Sequence, residues 1–242
     1  MNRFFGTVLN GKAFLGENDA HHLLSVLRAK EGEKVEIVSD GRLFLATVDS
    51  LRPLSVSIEE ELHSEAELDC DLYLAFSLLK NGHDELVFQK GTELGVKGFL
   101  PFISKRTIIS LDEKDKEKRL SRYQKIVQGA AEQSKRLVVP TVYPIESFKS
   151  VLSFGDADLQ RYFAFEGAIG EEFSLFRTFS NLKKGCKSLV LIGPEGGFSE
   201  EEAHLAKEKG FQTISLGKRI LRAETASIYL ASAFMTAREE KR

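Results

Sequence analysis

Leu189, Val190, Leu191 and Ile192 make an apolar run of strand length, which breaks into Gly193, Pro194, Glu195, Gly196 and Gly197 before Phe198 and Ser199. Ser199 and Glu202 have the spacing of a capping box. Ala203, Leu205 and Ala206 carry a helix from there to Gly210. Strand, glycine-rich turn and helix in that order belong to an α/β sheet. Three glycines and a proline in five positions exceed what a bare connection needs. Glycines just past a parallel strand let a ligand reach the backbone, at the edge where such sheets bind their ligands.

The turn is not built for phosphate. It lacks the Gly-Lys-Ser/Thr ending of a P-loop, the chain has no Gly-x-Gly-x-x-Gly fingerprint, and Glu195 would repel an anion. A neutral or cationic nucleoside suits it better. S-adenosylmethionine fits, because its sulfonium is a cation and its adenine edge can bond to backbone amides. A second segment repeats the pattern: Ile214, Ser215 and Leu216 lead into Gly217, then Lys218, Arg219, Ile220, Leu221 and Arg222 precede a helix opening with Ala223, Glu224, Thr225 and Ala226. The plain structural roles here are solvation for Arg219 and Arg222 and helix capping for Glu224 and Thr225.

Ahead of these segments the character of the chain changes once. Residues 1–68 read as mostly strand with one helix. Asp19 is the expected N-cap of a short helix carrying Leu23, Leu24, Val26 and Leu27, ended near Gly32. Apolar runs on either side of Ser39, Asp40 and Gly41 predict a hairpin, and a third strand covers 54–58. The acidic run 59–67 reads as a solvated linker. From 69 onward strands and helices alternate: a strand at 72–77, a helix from about Asp84 stopped by Gly95, and a strand at 99–103. A long helix over 114–134 follows, with Leu120, Tyr123, Val127, Ala130 and Ser134 at helical spacing. Further strands cover 161–165 and 188–192. The expected domains are 1–68 and 69–242.

Composition sets outer limits. Of 242 residues, 42% are apolar and 29% charged, ordinary for a soluble domain. Tracts long and apolar enough to span a bilayer are absent from the sequence, and the N-terminus lacks a secretory signal, so the cytoplasm is expected. Cys70 and Cys186 lie far apart without histidine clusters, which argues against a metal site and a disulfide framework. The net charge of −2 gives no global nucleic-acid signature, so any RNA contact must use local basic patches.

The two turn segments, with Arg3-Phe4-Phe5, the stretch from Gln89 through Lys90 and Gly95 to Val96, and Glu132 to Arg136 with Pro140, closely resemble the SPOUT methyltransferases of the RsmE family. Members methylate N3 of a uridine in small-subunit ribosomal RNA. The resemblance runs over essentially the whole chain; Lys135 stands where the pattern has glycine or another small residue. It implies an RNA-holding PUA-like β-barrel followed by an α/β SPOUT fold with a C-terminal trefoil knot. It also implies a homodimer whose active sites are built across the subunit interface. Backbone groups at Ile192, Gly193, Gly197, Leu216 and Leu221 would hold S-adenosylmethionine, and the side chains of Ile192, Leu216 and Leu221 would enclose its adenine. Phe165 and Glu166 would touch its ribose or methionine end. Pro194, Gly196, Gly217, Glu224, Thr225 and Ala226 complete the expected cofactor set.

Uridine N3 is not nucleophilic until its proton leaves, so the reaction needs a base or a cation that stabilises the uridine anion. Arg222 is the preferred stabiliser and Arg136 the second. Glu195, Glu132 and Glu224 are candidate bases that sequence does not separate. Glu132 and Arg136 are four apart on a helix and can equally form an intrahelical ion pair. Arg3, His21, His22 and Arg28, with Lys80, Lys90 and Arg106, are the expected phosphate contacts to ribosomal RNA in the small subunit. A noncatalytic RNA-binding protein is disfavoured because the cofactor glycines are all present. A ribose 2′-O-methyltransferase of the same fold is disfavoured by the PUA-like N-terminus and the segments around Lys90 and Glu132. The absent P-loop lysine and Glu195 disfavour a nucleotide-phosphate enzyme.

Overall fold

The hairpin expected around Asp40 and Gly41 forms. β3 (Lys34–Ser39) and β4 (Arg42–Leu51) pair antiparallel across that two-residue turn, whose residues lie at φ 49° and 75°. Positive φ at both central positions gives a turn whose twist matches the flanking strands. β1 (Arg3–Leu9) and β2 (Lys12–Leu15) form a second hairpin, β5 (Leu54–Leu62) joins β2 to β4, and a parallel contact between β1 and β3 closes a five-stranded barrel. Side chains alternate across a strand. Val35 and Ile37 of β3 and Ala46 and Val48 of β4 therefore point inward together, and meet Phe4 and Val56. Leu23 joins this core from a wide helical turn, His22–Val26, that follows α1 (Glu17–His21), and Ala29 joins it from the segment after that turn.

The computed structural model describes residues 1–165 and 174–240. The chain divides into two units, Met1–Glu67 with Ala131–Val138, and Leu68–Ala130 with Val139–Arg242. Two expectations for the first unit change. The N-cap is Gly16, which is extended (φ −65°, ψ 160°), and Asp19 is a buried residue of the first turn, not the N-cap. The acidic run does not begin as a linker: Glu59, Glu60 and Glu61 belong to β5. Glu59 pairs with Lys34 at 2.9 Å, and Glu61 accepts from Arg42 Nε at 2.8 Å. These carboxylates are solvated, and they stand on a barrel strand, with Lys34 on β3 and Arg42 on the adjacent β4 as their partners.

The second unit is a parallel sheet. β6 (Asp71–Ser77), β7 (Gly98–Ile103), β8 (Thr141–Val142), β10 (Gln160–Ala164), β11 (Lys187–Ile192) and β12 (Gln212–Ile214) lie in the order β12-β10-β11-β6-β7-β8, with β9 (Glu146–Ser147) also on β7. All these pairings are parallel. β6 and β11 are central and nearly continuously apolar, as strands covered on both faces must be. Val190 and Ile192 enter one core with Leu72, Leu74 and Phe76, while Leu189 and Leu191 enter the other with Ala75, Leu100 and Phe163.

The first core is covered by α2 (His83–Glu93), α3 (Glu113–Gln133) and α7 (Ala223–Glu239), through residues such as Phe88, Tyr123, Val127, Leu230 and Phe234. The second is covered by α4 (Phe148–Val151) and α6 (Glu200–Glu208), through Phe148, Val151, Ala203 and Ala206. Tyr123 stacks on Phe88 with centroids 4.2 Å apart and donates to Asp84, which also takes a 3.0 Å bond from Arg119. Burial, then the Asp84 carboxylate, push the Tyr123 phenol far above its ordinary pKa, so it remains a donor. A short helix, α5 (Leu175–Ser180), packs Leu175 and Phe179 into the first core.

Candidate active site

β11, β10 and β12 are neighbours in the sheet, and their C-terminal ends open into one cleft. Ile192 ends β11, Ala164 ends β10, and Ser215 and Leu216 follow β12. Together with Phe165, the turn 193–198 and the loop 216–221, they line a cavity of about 150 Å³. Ala223 and Ala226 form its wall on α7, where small side chains leave room.

The glycine-rich turn is fixed at both ends. Gly197 donates its N–H to the Pro194 carbonyl at 2.9 Å and sits at φ 66°, a left-handed conformation that glycine adopts without strain. Behind it, the expected capping box is present: Ser199 Oγ accepts from Glu202 N at 3.2 Å, and Glu202 Oε2 accepts from Ser199 N at 2.9 Å. The other Glu202 oxygen accepts from Lys105 N at 2.9 Å. A carboxylate at a helix N-terminus also suits the helix dipole.

The cleft takes in most of the expected cofactor residues: Phe165, Ile192, Gly193, Pro194, Gly197, Leu216, Gly217, Leu221 and Ala226. Its lining does not include three others. Gly196 is exposed on the outer side of the turn, and its carbonyl accepts from Arg106. Glu224 lies in the first turn of α7 and pairs with His83 Nδ1 at 3.3 Å. Thr225 is exposed on α7, and it does not cap that helix, because the cap position falls on Arg222. Glu166 lies outside the described residues. Ala164, Phe198, Ser215, Lys218, Arg219, Ile220 and Ala223 line the cleft without having been expected there. The signal for Phe198 and Lys218 was adjacency to Gly197 and Gly217, the glycines of the turns after β11 and β12.

The charged candidates fall into two groups. Arg222 is exposed just before α7, and its side chain makes no hydrogen bond to α7 or to any other described residue. Glu195 is exposed at the tip of the glycine turn, with Lys80 N 3.4 Å from its Oε1. Both belong to the unit that holds the cleft. Arg136 belongs to the other unit, is 3% exposed, and is held by Glu67 through Nη2–Oε2 at 2.6 Å and Nε–Oε1 at 3.2 Å. Glu132 is in the last turn of α3, and its carbonyl accepts from Lys135 N.

The expected RNA contacts divide in the same way. Arg3 is 7% exposed, bonds Glu36 at 2.8 Å, and donates to the carbonyls of Lys135 and Arg136. It pins the first unit together and offers nothing to a phosphate. His22 is half-buried, its ring edge-on to Phe4 at 6.1 Å. His21, Arg28 and Lys80 are exposed. Lys90 pairs with Glu93 one turn along α2 at 2.8 Å. Groups of metal-ligating residues are absent among the described residues, and none of the helices in the described part is long and apolar enough to cross a membrane.

Comparison with known proteins agrees with this arrangement. The model of an RNA methyltransferase domain matches residues 66–235, and that of an RNA methyltransferase PUA domain matches residues 15–61. The chain is 37% identical over 220 residues to ribosomal RNA small subunit methyltransferase E of Bacillus subtilis, covering 89% of this chain and 86% of that protein. It is 32% identical over 208 residues to the protein of the same name from Synechocystis, covering 85% and 67%. Among solved structures, the small subunit methyltransferase E of Neisseria gonorrhoeae bound to S-adenosyl methionine superposes with a TM-score of 0.85 at 30% identity, over 98% of this chain and 97% of that one. A Legionella pneumophila methyltransferase in complex with the same cofactor gives 0.86 at 27% identity, over 98% of each chain.

Proposed function

The chain belongs to the ribosomal RNA small subunit methyltransferase E family, and on that premise we propose that it methylates N3 of a uridine in small-subunit ribosomal RNA. It is an S-adenosylmethionine-dependent rRNA methyltransferase. The observation that carries the cofactor reading is the cleft at the ends of β10, β11 and β12, walled by backbone-rich turns and by Ile192, Leu216 and Leu221. A flat, uncharged adenine suits apolar walls with backbone donors and acceptors at their edge. When bound, S-adenosylmethionine supplies an electrophilic methyl group on a sulfonium.

The chain's own residues do the rest. The turns 193–197 and 216–217 orient the donor, and orientation supplies much of the rate of an in-line displacement. Arg222, exposed and uncommitted among the described residues, holds the negative charge that spreads over the uridine carbonyl oxygens once N3 loses its proton. Glu195 is the base this reading favours, because it is exposed on the cofactor turn whereas Glu224 is already engaged by His83. Arg28 and Lys80 remain exposed cations for RNA phosphates.

The same reading assigns residues 1–68 to RNA holding and 69–242 to catalysis, gives the C-terminal segment a trefoil knot, and makes the working enzyme a cytoplasmic homodimer acting within the small ribosomal subunit. The test is transfer of labelled methyl to small subunits lacking their own methylation, followed by nucleoside analysis. Label in N3-methyluridine is expected. Label in a ribose would move the protein to the 2′-O-methylating branch.

A further inference from the structure

Arg106 was a candidate for RNA, yet its geometry ties it to the cofactor turn. Its Nη1 donates to the Gly196 carbonyl at 2.7 Å. A methyl group built on Gly196 would meet the Arg106 side-chain stem at 3.6 Å, so the stem already lies along that glycine in ordinary contact. The segment that presents Arg106 is itself fixed. Thr107 Oγ1 takes a 2.8 Å bond from Ser104 N and lies 2.6 Å from Ser77 Oγ, while Lys105 N bonds the capping Glu202 at 2.9 Å.

We propose that Arg106 is a positioning residue for S-adenosylmethionine, acting as a clamp on the outer side of the glycine turn whose inner side lines the cleft. Gly193, Pro194 and Gly197 line the cavity, whereas Gly196 is outside its lining and its carbonyl accepts from Arg106. A charge-assisted bond to a carbonyl is stronger than a neutral one. It holds the turn in its binding conformation before the cofactor arrives, so less ordering is required on binding. The inference rests on reading the cleft as the S-adenosylmethionine site.

The experiment is calorimetric titration of S-adenosylhomocysteine into the full chain and its Arg106→Ala and Arg106→Lys variants, beside filter binding of a small-subunit rRNA transcript. Arg106→Ala is expected to weaken S-adenosylhomocysteine about tenfold. Arg106→Lys should recover part of the loss, because an ammonium can still donate to the carbonyl. The thermal midpoint should stay in place, since the side chain is exposed. Unchanged S-adenosylhomocysteine affinity in Arg106→Ala, with or without weaker RNA binding, would overturn the clamp. Failure of the unaltered chain to bind S-adenosylhomocysteine would overturn the reading of the cleft, and the clamp with it.

Discussion

Arg136 and Glu67 form a two-point ion pair, 2.6 Å at its shorter contact, and the same carboxylate accepts the backbone N–H groups of Leu137 at 2.8 Å and Val138 at 3.2 Å. Planar guanidinium and carboxylate match in this geometry. Without Arg136, Glu67, about a quarter exposed, keeps only its two backbone donors, and losing charge-assisted bonds of this kind costs roughly 1.5–3 kcal/mol. Arg136→Met should therefore lower the unfolding midpoint of the chain in a denaturant titration. A variant of unaltered stability with lost methyl transfer would restore Arg136 to a catalytic role.

Glu36 makes the first unit sensitive to acid. Burial would raise its pKa, but hydrogen bonds from Lys135 and Arg3 outweigh burial and hold the carboxyl below its ordinary value of 4.5. A carboxylate lowered on folding contributes stability that is present above its unfolded pKa and lost as pH falls through the folded one. Stability should decline from about pH 4.5 downward, and Glu36→Gln should flatten that decline while lowering stability at neutral pH. Denaturant midpoints measured across that range check both.

Lys135 lies at φ 62°, a left-handed conformation that glycine adopts without strain. A non-glycine residue there costs on the order of 1 kcal/mol, and the lysine offsets this with a 2.9 Å ion pair to Glu36. Lys135→Gly should thus be near neutral in stability, and Lys135→Ala, which keeps the strain and loses the pair, should be clearly destabilising.

Gly196 and Gly197 should respond differently to alanine. At Gly197 the backbone is left-handed, so Gly197→Ala should destabilise by about 1 kcal/mol and weaken S-adenosylmethionine binding. At Gly196 the added methyl meets only ordinary contact, so Gly196→Ala should change either quantity little. Thermal melts and cofactor titration on the two variants read the contrast, and the reverse order would contradict the turn geometry.

Arg222→Ala should leave the melting temperature in place and cut methyl transfer at saturating substrates by roughly 100-fold or more, the scale seen when a charge-stabilising donor is removed. Turnover within a factor of two of the parent would exclude Arg222 from the chemistry.

What sequence could reveal depended on the range of the interaction. The hairpin at Asp40 and Gly41 and the capping box at Ser199 and Glu202 are local, and their residues alone announce them. The cleft glycines were legible because backbone approach needs glycine at strand ends. Arg3 and Arg136 misled, because a surface cation and a buried one look alike until the carboxylate is located. Glu36 and Glu67 stand 33 and 69 residues from their partners. Likewise, Glu59 and Glu61 read as linker because Lys34 and Arg42 reach them only through strand pairing. The Gly196 carbonyl was invisible for a different reason: Arg106 is 90 residues away and bonds main chain, which leaves no trace in side-chain pattern.

The most direct test of the central claim is hydrogen–deuterium exchange of the chain with and without saturating S-adenosylmethionine. The account predicts new protection concentrated in residues 192–198 and 215–226, around the cleft at the ends of β11 and β12. Another cavity, of about 320 Å³, is lined by residues that include Gly82, Asp84, Arg119 and Tyr123. Protection centred there, with the glycine turns unchanged, would contradict it.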